Sequence, residues 1–498
     1  MHRLLPPNPP SQPTVIVPCH EPARQGQIHR RRESVLFFFL GAAFVSLFLA
    51  SPCAWSADPA TWKAVCGRTC ITPAAPVPLS GYAGRAQAPQ EKLTDLWAKA
   101  LLLEAADGTR VVLVTLDLIG LDRATAEAIR SRLRETQDWN DQSLVLATSH
   151  THTGPAVGRN LAPMLYDVLE APQQEAIDRY SEQLVNQVTE LVQRVAAQPP
   201  RPVRLQWGHG SATFAVNRRN NRESDVPDLR SANQLAGPVD HDVPVLAVRD
   251  SNDQLMAVVF GYACHATVLS SRQLSGDYPA FAQLELEARY PDCVAMFVAG
   301  CGGDQNPLPR RSTALAQHYG KRLATAVDSV LMTTTMTSVS PTVTTAAREL
   351  PLPFDQLPTE DTLRHDAESQ DRYRAARAKQ LLKQLTKGPM SPTYPYPITL
   401  WRLGNELDLI FLGGEVVVDY ALEIKRELGA YSTWVAAYCN DVMAYIPSRR
   451  VLQEGGYEGG GAMVYYGLPT LWAPEVESMI IDSVQQLARP EVSTSRSD

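Results

Sequence analysis

The sequence predicts an α/β fold: a mixed β-sheet in a layered core with flanking helices, its chemistry placed at the carboxyl ends of strands. Three observations predict it. Apolar runs of strand length, in SLVLATSH (143–150), LMAVVFGYACHA and DCVAMFVAGCGGD, are nearly uninterrupted, as expected for strands covered on both faces. Amphipathic helical stretches alternate with these runs, the pattern of a helix-flanked sheet. Histidines and glycine-flanked acids then follow the apolar runs directly, where a strand ends and a loop can present them. The composition, 44% hydrophobic and 20% charged, is that of an ordinary globular protein able to bury a large core.

Taken in chain order, KALLLEAADGTRVVLVTLDLIGL reads as two strands around the turn pair Asp107-Gly108. DRATAEAIRSRLRETQ (122–137) has apolar positions at helical spacing, and SLVLATSH is a buried strand ending in polar residues. Residues 172–197 form a second long amphipathic helix that stops before AQPPRPV, and VRLQWGHGSATFAVN resumes strand character. PVLAVRD, LMAVVFGYACHA and DCVAMFVAGCGGD are strands, with PAFAQLELEARY a helix between the last two. Residues 359–388 carry many charges beside Leu381, Leu382 and Leu385, which marks an exposed helical insertion of about 355–395 without a chemical motif. After the Pro-rich connector KGPMSPTYPYP, ITLWRLGNELDLIFLGGE is a hairpin turning at Gly404-Asn405, and SMIIDSVQQLA is a helix near the carboxyl end.

Before residue 58, HRRRESV, LFFFLGAAFVSLFLA and SPCAWSADPA supply a basic flank, an apolar stretch and a small-residue exit in the order of a secretory signal. The apolar stretch is about 15 residues, short of the roughly 20 that span a bilayer as a helix. An exported protein, secreted or periplasmic, with a 1–57 leader cleaved between Ala54 and Asp58 is the expectation, and an uncleaved membrane anchor is the alternative. Residues 58–498 are then expected to form the functional domain. The formal charge of -7 and the lack of a long Lys/Arg block leave no footprint for nucleic acid. Of the 8 cysteines, Cys19 and Cys53 lie in the leader. An oxidising compartment would permit disulfides, with Cys66 and Cys70 the nearest local pair, whereas no CxxC…CxxC spacing suggests a structural zinc site.

The strongest chemical signal is TSHTHTGP (148–155). His150 and His152, two apart at a strand end, can project to one side as half a metal site; the plain alternative is two polar residues closing a loop. His265 ends another apolar strand, where an imidazole needs a hydrogen bond or a metal. Glu415, in FLGGEVVVDY, follows a strand and two glycines, where a buried carboxylate is costly unless it meets positive charge or several donors. Zinc takes imidazole nitrogens and completes its shell with a carboxylate. Asp277 and Asp304, each after glycine, suit either orienting a ligand histidine or capping a helix. Gly302 and Gly303 suit close approach of the backbone to the site.

HTHTGP, AVNRR (215–219), CHATVLSSRQLSGDYPA (264–280), AGCGGDQNP (299–307), GGE (413–415) and NDVMAYIPSRRVLQEGGYEGG (440–460) resemble, in the same order, motifs of the neutral/alkaline ceramidase catalytic domain, over about residues 70–475. The resemblance implies zinc held by His150, His265, Glu415 and Tyr445, with His152, Arg218 and Tyr457 around the reacting amide. It departs in two places. Ceramidases carry a serine before the proline of the GGDQNP segment; here Asn306 stands there, closing a serine acyl-enzyme route but able to donate a hydrogen bond to an oxyanion. The family's carboxyl-terminal β-sandwich domain is not expected after SMIIDSVQQLA. The implied activity is zinc-dependent hydrolysis of an amide C–N bond by activated water, with an N-acyl lipid or another small amide or ester as substrate and peripheral membrane contact left open. The alternatives are a catalytically silent exported ligand-binding protein that keeps the metal-site fold, and a non-metal scaffold with structural histidines.

Overall fold

The apolar runs become central strands because successive side chains point to opposite faces and both faces find a partner layer. In the computed structural model, which describes residues 61–489 apart from 84, 86–88, 137, 138 and 334, the main sheet is built from β1 (Trp62–Cys70), β2 (Trp97–Glu104), β3 (Arg110–Leu116), β4 (Leu144–Thr148), β5 (Arg201–Ser211), β6 (Asp242–Asp250), β7 (Leu255–Tyr262) and β8 (Val294–Ala299). The expected leader and its cysteines lie outside the described residues. Strand order is β8-β7-β6-β5-β1-β2-β3-β4, with the two-residue strand Thr337–Ser338 added beside β5. The outer pairs β8/β7 and β3/β4 are parallel and the inner pairs antiparallel, so the sheet is mixed as expected. The β2–β3 hairpin turns through Asp107-Gly108, where Gly108 takes a φ of 88°.

A second sheet lies against the first. Its strands, β9 (Val343–Pro353), β10 (Thr393–Leu403), β11 (Leu407–Leu412) and β12 (Thr433–Ala436), run in that order. Leu101, Leu103, Leu113, Val259 and Val298 from the first sheet meet Trp401, Leu409, Phe411 and Trp434 from the second in one buried layer. The intervening residues of β2 and β3, Ala100, Leu102, Val112 and Val114, turn the other way onto α1 (Arg123–Thr136) and α2 (Ala171–Ala196). Toward β7 and β8 that face is covered by α3 (Asp277–Arg289) and α4 (Thr313–Leu331). The helices start where the chain supplies caps: Asp122 accepts from the Thr125 amide, Glu170 and Gln173 form a capping box, and Ser312 accepts from Leu315.

Between β9 and β10 the insertion forms α5 (Glu360–Ala367) and α6 (Arg372–Leu385), a helical hairpin with its own small core of Leu363, Ala378 and Leu381. The outer face of the second sheet is closed by α7 (Val418–Leu428) and α8 (Val476–Ala488), completing helix, sheet, sheet and helix layers. Among the described residues no helix is long and apolar enough to cross a membrane.

The Cys66–Cys70 pairing is overturned. Both residues sit in β1, where four residues at ~3.3 Å each separate them by ~13 Å, about twice the Cα spacing a disulfide tolerates. All the cysteines of the described residues, Cys66, Cys70, Cys264, Cys293, Cys301 and Cys439, are free.

Candidate metal centre

The site forms where β4, β7 and β11 end at their carboxyl termini. Beyond β4 the chain turns sharply, and His150 adopts a left-handed backbone with φ 58°, a conformation costly for a non-glycine residue. Its Nδ1 lies 2.7 Å from the Ile119 carbonyl. Three residues beyond β7, His265 places its Nδ1 2.6 Å from the Gly302 carbonyl. Beyond β11, Glu415 pairs with Tyr445 in a short parallel bridge. Glycine is needed at two of these approaches. A Cβ on Gly302 would come within 2.7 Å of the Cys264 amide nitrogen, and one on Gly414, at φ 74°, within 2.8 Å of the Ala444 carbonyl oxygen.

These anchors fix the chemistry of the centre. An Nδ1–H donated to a backbone carbonyl leaves the Nε2 of His150 and of His265 as lone pairs facing inward. Those two nitrogens lie 3.0 and 3.1 Å from Oε2 of Glu415. The other carboxylate oxygen, Oε1, accepts from the Tyr466 hydroxyl, while Oε2 is buried and has no hydrogen-bond donor. Tyr445 Oη is 3.2 Å from His265 Nε2, and His152 Nε2 is 3.1 Å from His150 Nε2. One ligand-type atom from each of His150, His152 and His265 lies within 4.8 Å of the others. All four residues expected as ligands, His150, His265, Glu415 and Tyr445, are buried and converge here.

A doubly protonated imidazole or a cation would satisfy Glu415 Oε2. Burial, then Arg218, pushes His265 down to about 4, which disfavours the doubly protonated form at neutral pH. Burial also holds His152 well below the usual histidine range, with His150 and His265 adding to the effect. Burial alone would raise the Glu415 carboxyl; His150 and His265 hold it well below its usual range only when they carry protons toward it, a role that falls to a cation once their Nε2 atoms are lone pairs. The set of inward-facing imidazole nitrogens around one carboxylate therefore fits a divalent cation.

The residues expected around a substrate stand on one side of this cluster. Arg218 points Nη2 at Tyr445 Oη, 3.1 Å, and Nη1 at Asn306 Oδ1, 3.2 Å. Burial pulls its pKa down, but Tyr445 and Glu458 hold the guanidinium firmly charged. Because Asn306 Oδ1 also receives Thr267 Oγ1, its amide N–H₂ is turned away from these donors. Tyr457 is exposed, its ring 5.3 Å from that of Tyr445. His152 is half-buried under Tyr82, their rings 5.0 Å apart.

Three neighbours were not legible in the sequence: Tyr466, Tyr438, which stacks 4.3 Å from the His150 ring, and Glu458, whose Oε1 accepts from Arg218 Nε at 2.6 Å. Glu458 alone left a signal, a buried acid in YEGG beside Tyr457. Asp304 and Asp277 make no hydrogen bond to a ligand histidine, and neither caps the helix that follows it in the chain. Asp304 accepts from Val418 at the start of α7 and from Asn217; Asp277, at the start of α3, accepts from Leu269 and Tyr278.

Residues 64–309 match the family model described as neutral/alkaline non-lysosomal ceramidase, N-terminal. That stretch belongs to the neutral/alkaline ceramidase family. The ceramidase-family segment contains His150, His152, Arg218, His265 and Asn306, while Glu415, Tyr445 and Tyr457 lie beyond it. Solved structures carry the likeness further. A neutral ceramidase from Pseudomonas aeruginosa superposes with a TM-score of 0.64 at 19% identity, covering 86% of this chain and 74% of that one. A ceramidase complexed with C2 gives 0.64 at 17% identity, covering 86% and 76%. At such identities the likeness is one of fold. No curated protein matches the chain. Ceramidase family and ceramidase fold together support a ceramidase-type hydrolase with a buried histidine group.

Proposed function

We propose that this protein is an exported, zinc-dependent amidohydrolase that cleaves the C–N bond of an N-acyl lipid or a related small amide with water as nucleophile. The observation that carries the reading is the buried Oε2 of Glu415, without a proton donor and facing two imidazole lone pairs at 3.0 and 3.1 Å. His150, His265, Glu415 and Tyr445 would hold the ion. When bound there, zinc makes hydroxide available near neutral pH and polarises a carbonyl.

The chain's own groups would do the rest. His152, neutral because it is buried among other imidazoles, can take a proton from the attacking water and return it to the leaving amine. Arg218, held by Glu458, brings a fixed positive charge to the side where an oxyanion develops. The Tyr457 hydroxyl would be a further donor there, while Asn306, its carbonyl held by Arg218 and Thr267, would help to position the guanidinium, so loss of the family's serine removes a nucleophile but not the electrostatic support. The leader's basic, apolar and small-residue order supports export.

The test is to recover the protein from the periplasm or medium of expressing cells, read its amino terminus, and assay amine release from N-acyl sphingoids, N-acyl amino acids and simple esters. We expect an amino terminus near Asp58 and amine release that a chelator abolishes and added zinc restores. Metal-bearing protein that cleaves none of the panel would replace the hydrolase by a ligand-holding protein. Protein retained with residues 1–57 attached would replace export by an anchor.

A further inference from the structure

Beyond the groups this mechanism uses, further tyrosines continue outward on one side of the site. From Tyr445 a line of tyrosine rings runs outward: Tyr457 at 5.3 Å, then Tyr465 at 6.1 Å, then Tyr373 at 5.4 Å. The outermost ring belongs to α6, so the insertion reaches the site through it. Behind the line, Ile119, Leu161 and Met164 form a buried apolar cluster against which Tyr373 and Tyr465 pack. Tyr465 and Tyr373 are half-buried. Tyr457 is 45% exposed, and Leu471, 41% exposed, lies against Gly460 of the same turn.

Large apolar side chains left uncovered beside a reacting centre mark a surface that a ligand covers. Tyrosine rings offer wide apolar faces without ionised groups, at small conformational cost because each has few rotatable bonds. The wall is continuous with the metal centre, since its innermost ring, Tyr445, also stacks on His265 with centroids 6.3 Å apart. A group attached to the scissile amide would therefore meet these rings in succession. A short acyl group would reach only Tyr457; a long one would extend to Tyr465 and Tyr373.

We infer that the helical insertion completes an aromatic wall that takes the long hydrocarbon chain of the substrate, with Tyr465 and Tyr373 reading chain length. This rests on the amide-hydrolase reading for its choice of ligand. Each methylene laid on the wall leaves water and adds to affinity until the rings end. Tyr373 is a specificity residue and takes no part in bond breaking.

The test measures binding as well as turnover. Ketone analogues of acetyl, octanoyl and palmitoyl amides, with a methylene in place of the amide nitrogen, are titrated calorimetrically into the metal-loaded protein. Affinity should rise at least tenfold from octanoyl to palmitoyl. Tyr373→Ala and Tyr465→Ala should each lose about tenfold for the palmitoyl analogue while changing the acetyl analogue less than twofold, and Tyr373→Phe should bind as the parent does. Chain-length-independent affinity in the parent protein, or an equal loss for all lengths in both alanine variants, would overturn the inference. If chain length is read in binding but no amide is cleaved, the wall stands and the hydrolase reading falls.

Discussion

Replacing His150 and His265 together with alanine is expected to leave a folded protein without bound zinc. Metal analysis should give about one zinc per chain for the parent, prepared without chelators, and essentially none for the double variant. The two imidazoles supply half of the four-ligand set, and loss of a single supporting group around a metal already costs 10- to 100-fold in affinity or activity. Amine release should fall below detection. The alanines remove the bonds to Ile119 and Gly302 and the stacking on Tyr438 and Tyr445, but the sheets are packed elsewhere, so the chain should still fold. Glu415→Gln separates charge from shape. The amide keeps the volume and an acceptor oxygen but not the negative charge that two lone pairs face, so zinc should be bound at least tenfold more weakly. A parent protein that contains no transition metal and cannot be loaded with one would end the proposal.

The parts of the fold legible in the sequence are those whose burial is symmetrical. β3, β4, β7 and β8 carry unbroken apolar runs because layers cover both of their faces, and the HxH of His150 and His152 stands out at the end of one such run. β9 escaped notice because most of its residues are only half covered, so VTTAARELPLP has neither a run nor a clean alternation. The sequence therefore shows one hairpin of the second sheet rather than a layer. α7 was hidden because its apolar start, VVVDY, continues directly from the Glu415 strand. The cysteine pair misled for a related reason: four residues are neighbours on a helix but far apart on a strand. The four expected ligands could be named because each sits in a motif. Tyr466 could not, since its contact with Glu415 closes a separation of 51 residues with no local pattern to announce it.

His152→Ala should retain zinc and lose most of the turnover. The expectation turns on how the three histidines are held. His150 and His265 each donate Nδ1–H to a carbonyl, the arrangement that orients a metal ligand and raises its basicity. His152 Nδ1 is buried without a partner, so nothing fixes that ring as the other two are fixed. Proximity alone would count all three as ligands, since their atoms lie within 4.8 Å of one another. The unanchored ring is better suited to moving a proton, for which its neutral form is required and its burial provides. A positioned general base contributes about 10²- to 10⁴-fold, so kcat should drop by that range while zinc stoichiometry stays at that of the parent. His152→Gln, which keeps hydrogen-bonding capacity but cannot accept and return a proton, should be nearly as slow. If either variant instead loses the metal, His152 is a ligand, and the base must be sought among the groups that face it from the Tyr82 and Tyr457 sides of the mouth.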